Sequence, residues 1–161
     1  MKEIICNEIE LDYPESFYFM EEEEMKKYFS SARNRKGFRN EQQKMIISVG
    51  WSNPLNVFTS LFVNPHSFLD LYNKQNRSAL KSYSRMEDIS KEICGLDASG
   101  FAFSYEASDT GVRQNGKVVT AKIGKRIYLV EYTTSSTDRL FCNMAFDMVI
   151  SSMKCLMEKK Q

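Results

Sequence analysis

Three stretches of this 161-residue sequence carry residue types that chemistry uses. Asp109-Thr110-Gly111 spells the triplet of the aspartic proteases. That chemistry needs two such aspartates sharing a proton, each held in a buried loop. The triplet occurs once, and Glu-Ala-Ser precedes it where an apolar strand is required. A homodimer would supply a second copy but not the missing context, so the triplet reads as a strand-end turn. The second stretch is the acidic run Glu21 to Glu24. Four successive carboxylates fan around a helix, whereas a hard-cation site needs oxygens converging from several directions. They read as a solvated helix face.

The third set is His66 with Cys6, Cys94, Cys142 and Cys155. A single histidine and no C-x-x-C pair leave no zinc spacing. A Cys–His nucleophile would have to use His66, directly after Pro65 at a helix start, where a surface role is expected. The thiols read as small, reduced hydrophobes, with Cys142 and Cys155 about 20 Å apart along one final helix. No P-loop, G-x-S-x-G or G-x-G-x-x-G occurs. No catalytic residue, metal or cofactor is assigned.

One candidate contact surface remains. Arg33, Arg35, Lys36 and Arg39 surround Phe38 in "RNRKGFRNEQQ", which reads as a polar, basic loop. Cations with an aromatic among them suit a partner or a polyanion. The net charge of +1 supplies no global field toward nucleic acid, so nucleic acid is not the favoured partner.

The elements that position these groups follow from periodicity. Ile4-Ile5, then Ile9, Leu11 and Tyr13, read as one or two short strands ended by Pro14. "SFYFMEEEEMKKYFSSA" reads as a short amphipathic helix with Met25, Tyr28, Phe29 and Ala32 as its apolar stripe. "KMIISVGW" is a strand with Met45, Ile47, Val49 and Trp51 on one face. Residues 55–63 fit either a strand or a short helix. Asn64-Pro65 is a cap followed by proline at the first helical position. "GFAFSYEAS", "KVVTAKI" and "RIYLVEYTT" form an antiparallel meander, with turns at Asn115-Gly116 and Gly124-Lys125. Capping residues in "SSTD" open the final helix near Asp138.

That helix, around "NMAFDMVISSMKCLM", is apolar over an arc approaching twice what one-sided packing needs. It therefore requires cover beyond its sheet side. The Met25–Phe29 or Phe68–Tyr72 helix would supply it within the chain, and a second copy or a partner from outside. Phe146, Ile150 and Met153 are the candidate apolar interface of the latter case.

No linker or repeat divides the chain, so residues 1–161 read as a single α+β domain. No apolar run reaches membrane-spanning length. The start, Met-Lys-Glu-Ile-Ile-Cys-Asn-Glu, is too short and acidic for a signal peptide; a cytoplasmic protein is expected.

"IELDYPESF", "ICGLDASGFAFSY", "GKRIYLVEY" and a helix ending in "VISSM" together resemble the PsbP-like superfamily. That group includes the photosystem II oxygen-evolving subunit, a Ran-binding import factor and many bacterial proteins. The resemblance implies a PsbP-like α/β sandwich: an antiparallel sheet of about six or seven strands flanked by helices, with the long C-terminal helix across it. It also implies a function in binding or assembly. Two readings stay open. One is a non-catalytic module contacting another protein, with a homodimer as one form. The other is a small-molecule-binding protein or enzyme with a site between sheet and helices.

Overall fold

The computed structural model describes residues 1–56, 58 and 63–156 of the chain. The segment 55–63, ambiguous in the sequence, lies largely outside the described residues. In chain order the strands are β1 Lys2–Ile5, β2 Ile9–Asp12, β3 Tyr18–Phe19, β4 Arg35–Asn40, β5 Met45–Trp51, β6 Lys81–Ile93, β7 Leu96–Glu106, β8 Arg113–Ile123, β9 Arg126–Thr134 and β10 Lys154–Cys155. The helices are α1 Glu22–Met25, α2 Pro65–Ala79 and α3 Arg139–Ser152.

Seven strands form an antiparallel sheet in the order β3-β4-β5-β9-β8-β7-β6, and a second, three-stranded sheet runs β1-β2-β10. The large sheet alternates side chains between two faces. On the first, Met45, Ile47 and Val49 join Val119, Ala121, Tyr128, Val130 and Tyr132 in the main core. The small sheet and α3 close that face, with Phe146 edge-on to Tyr132 at 4.9 Å between ring centroids. On the second face, α2 packs through Leu69 and Tyr72 over Phe101, Phe103 and Val118. Met20, Met25 and Ile46 form a separate cluster under the α1 segment.

The helix caps match the sequence. The Asn64 side chain accepts a hydrogen bond from the Ser67 amide at 2.9 Å, and Pro65 sits in the first turn. Asp138 accepts from the Phe141 amide at 3.1 Å. The amphipathic helix expected around Met25–Ala32 is shorter, ending at Met25 before a series of turns.

The meander forms, but not with both expected turns. Gly124 turns the chain between β8 and β9 with φ 60°. Asn115 and Gly116, by contrast, lie inside β8. The β7–β8 connection is at 107–112, around Gly111 with φ 69°, and it holds the Asp109 triplet. Gly116 serves packing instead. A Cβ there would lie 2.3 Å from the Tyr132 carbonyl oxygen and 2.6 Å from the Phe103 ring.

Two elements differ from the sequence reading. The basic "loop" is β4, paired with β5 from Arg35↔Gly50 to Asn40↔Met45. β6 carries no apolar alternation. Irregularities between Lys81 and Ser84 and between Arg85 and Asp88 each place one extra residue against β7. The second exchanges the faces, so that Arg85 lies over Phe101 on the second face while Ile89 and Ile93 join the first.

The final helix also ends earlier than its apolar run. After Ser152 the chain turns into β10, which pairs Cys155 with Ile9; Met157 onward lies outside the described residues. Cys155 is consequently exposed on a strand, while Cys142 is buried in α3. Cover for α3 comes from the β1-β2-β10 sheet, not from α1 or α2, which lie on the opposite face.

The packing at Gly116 predicts that Gly116→Ala destabilises by about 1–3 kcal/mol or more, because the displaced atom includes backbone. At Gly50 the nearest heavy atom would be 3.6 Å away, so Gly50→Ala should be neutral or slightly stabilising. Urea unfolding of the two variants separates them. Thiol labelling provides a second check: Cys155 should react in the native protein and Cys142 only after unfolding, because burial pushes the Cys142 thiol pKa up.

Candidate functional site

The two clusters of the second face do not meet. Between them, across β4, β5 and β9, the sheet surface is polar: Arg35, Ser48 and Glu131 occupy the positions that face the gap. Glu131 is only 7% exposed, so its charge requires partners. The Arg35 guanidinium lies 2.7 Å from one carboxylate oxygen. The Ser48 hydroxyl lies 3.3 Å from the same oxygen and accepts from Arg35 at 2.9 Å. The Tyr72 hydroxyl, reaching down from α2, donates to the other oxygen. Four elements thus meet at one carboxylate.

Aromatic rings fix the rest of the floor. Arg35 stacks 4.4 Å over the Phe29 ring and Arg39 4.7 Å over the Tyr28 ring. Tyr105 stacks on Phe103 at 6.2 Å, and Tyr72 meets the Phe103 edge at 6.0 Å. Burial, reinforced by the Glu131 charge, holds the Tyr72 phenol well above the usual tyrosine range. Burial likewise raises Tyr105. These phenols therefore stay neutral donors throughout the physiological range.

The gap forms an open groove alongside α2. Its larger section, about 850 Å³, is bounded by residues 27–30, the α2 residues Gln75, Asn76 and Ala79, and the 106–112 connection. A second section of about 450 Å³ continues past Arg33, Trp51 and Phe68. Arg35, Tyr72 and Gln75 line both sections, so the ion pair marks their junction. The Asn76 side chain, its Nδ2 buried, lies beside the Tyr72 and Tyr83 phenols and moderates the rise in their pKa.

The sequence-derived site residues separate on this frame. Arg33, Arg35 and Arg39 border the groove. Lys36 points to the other face, where its ammonium pairs with Glu3 and donates to the Ile4 carbonyl at 2.8 Å. Phe38 is fully buried against Tyr13 at 4.3 Å, so it has no free ring for a ligand. Phe146, Ile150 and Met153, expected at an apolar interface, lie in the main core at 0%, 3% and 4% exposure. The apolar side chains that α3 leaves open are Leu140, Met144 and Met148. His66 is exposed at the start of α2. Among the described residues no group of histidine, cysteine and carboxylate side chains has metal-binding geometry. Glu131, Ser48 and Tyr72 were not legible as site residues. The one local signal is a glutamate in the middle of the apolar run "IYLVEYTT", at a position facing away from Tyr128, Val130 and Tyr132.

No protein-family model matches the sequence, and no curated protein matches it. Solved structures do. Cyanobacterial PsbP from Synechocystis superposes with a TM-score of 0.64 at 13% identity, covering 96% of this chain and 91% of that one. LpqN of Mycobacterium tuberculosis, described as involved in cell envelope biogenesis, gives 0.58 at 11% identity over 91% and 82%. A Bacteroides thetaiotaomicron protein gives 0.57 at 10% identity; this chain covers 46% of its length, about half. At these identities the likeness is one of fold, and the fold is PsbP-like.

The buried phenols predict an alkaline transition. Tyr72, Tyr105 and Tyr128 are raised, and burial pushes Tyr132 up to about 12. Unfolded tyrosines lose their protons near pH 10, so the unfolded chain binds fewer protons above that pH. Stability is then unaffected below about pH 10 and falls as pH rises beyond it. Tyrosinate absorbance should show part of the eight tyrosines titrating only on unfolding. A single smooth titration near pH 10 would contradict the burial described.

Proposed function

We propose that this protein is a non-catalytic binding module that contacts another protein through the groove beside α2. The observation that carries the reading is the state of the groove's reactive groups. Glu131 is neutralised by Arg35 and hydrogen-bonded on both oxygens, and Tyr72 is locked onto it as a neutral donor. Such groups hold a surface in place, whereas a general acid or base needs a proton free to move to the reacting group. The groove is long and open, which suits a protein segment better than a small ligand enclosed on most sides. Arg33, Arg35 and Arg39 are its basic contacts, and Lys36 is not among them. The structural neighbours share the fold and are compatible with a binding role.

The second reading, a small-molecule site between sheet and helices, has the size of the larger groove section, about 850 Å³, in its favour. A ligand co-purifying with the native protein, seen by native mass spectrometry and lost in Asn76→Leu, would decide for it. Among the described residues no helix is long and apolar enough to cross a membrane. All four cysteines are free, which supports our placement of the protein in a reducing, cytoplasmic setting.

Photo-crosslinking in the source cell tests the main reading. A benzophenone amino acid at Leu80 or Thr110, on the groove, should capture a discrete protein adduct that Arg39→Glu removes. The same probe at Met144, on exposed α3, should not. Adducts from Met144 alone, or from no groove position, would contradict the proposal.

A further inference from the structure

We infer that the groove takes an extended, acidic segment of the partner protein, laid alongside α2. The inference rests on the groove being a protein-contact surface and adds the chemistry of what enters it.

Charge is the first argument. The two groove sections are lined by six cations: Lys27, Arg33, Arg35, Arg39, Lys44 and Lys81. Among the described residues, only Glu106, Asp109 and Glu131 oppose them there. The whole chain carries +1, so the groove concentrates positive charge that the rest of the surface offsets. Arg35 is committed to Glu131, and Lys81 lies 3.6 Å from Glu106. Arg39 pairs with Glu41 at 3.3 Å, but that carboxylate is 68% exposed, and an exposed pair exchanges at little cost. Lys27, Arg33 and Lys44 make no ion pair among the described residues. Asp109 is the one groove carboxylate without an ion pair among the described residues, so the unpaired cations outnumber it three to one. A ligand rich in carboxylate and carbonyl oxygens complements them.

Shape is the second argument. α2 has 15 residues, about 22 Å at 1.5 Å per residue, and the groove follows it. An extended chain rising about 3.3 Å per residue covers that length with six or seven residues. Nucleic acid is the weaker occupant, because binding a single strand uses open aromatic faces. Tyr28 and Phe29 already carry Arg39 and Arg35 on their rings, Tyr105 is stacked on Phe103, and Trp51 packs against the main core, which leaves Phe68 as the remaining ring along the groove.

The test uses the full chain and fluorescein-labelled octapeptides of alternating Glu and Leu, or Lys and Leu, read by fluorescence anisotropy. The acidic peptide should bind at least tenfold more tightly than the basic one and weaken several-fold between low and physiological salt. Lys27→Glu with Lys44→Glu, or Arg33→Glu alone, should cost about tenfold or more. Lys125→Glu with Lys154→Glu, the same charge change away from the groove, should cost little. Equal binding of the two peptides, or equal loss in groove and control variants, overturns the inference. So does a single-stranded oligothymidylate that binds as tightly and responds to the same groove variants. A partner captured at Leu80 with no preference for the acidic peptide would sink this inference alone and leave the protein-contact reading standing.

Discussion

A buried carboxylate in the central strand organises this molecule. Glu131 lies in the middle of β9, at a position where neighbouring strands of the meander place Val118 and Phe101. An unpaired charge there would be prohibitive, so its two oxygens dictate what approaches. One calls for the guanidinium of β4 and the hydroxyl of β5, the other for the phenol of α2. The placement of α2 over the second face follows from that requirement as much as from Leu69 and Tyr72 packing on the phenylalanines. The net energy of such an ion pair relative to an apolar replacement is small; what it contributes here is position.

The same constraint explains why the two faces differ. On the first face a continuous core runs from β1 through the meander to Phe146 and Met153, closed by the small sheet and α3. On the second, the polar centre separates the aromatic cluster under α2 from the methionine cluster under α1. Neither cluster spreads across the charges, so a groove persists where a larger apolar contact would have closed it. The groove is thus a by-product of how the second face is held together.

Much of this was legible in the sequence where the signal is local. The strand at Met45–Trp51, both helix caps and the order of the meander follow from alternation and capping chemistry. Asn115-Gly116 misled because the turn preference of that pair is a local free energy. A glycine admitting the Phe103 ring beneath the Tyr132 backbone is a tertiary one, and it prevailed. β4 has the sequence character of a loop because only Phe38 supplies apolar character, and the partner that makes Arg35 tolerable lies 96 residues away. β6 leaves no strand pattern in the sequence because its irregularities break the two-residue period on which strand recognition depends. The groove was beyond sequence reasoning for the same reason: its defining contacts join β4, β5, β9 and α2. The width of the apolar arc on α3 overstates burial, since Met144 and Met148 face solvent.

Hydrogen exchange in a Glu131→Gln variant tests most directly whether this carboxylate positions α2. Loss of its charge leaves Arg35 unpaired and weakens the acceptor for Tyr72. Amides of α2 should then lose protection ahead of β8 and β9, while α3, anchored on the other face, keeps its wild-type rates. Uniform loss across both helices and the sheet, or α2 protection equal to wild type, would contradict the account.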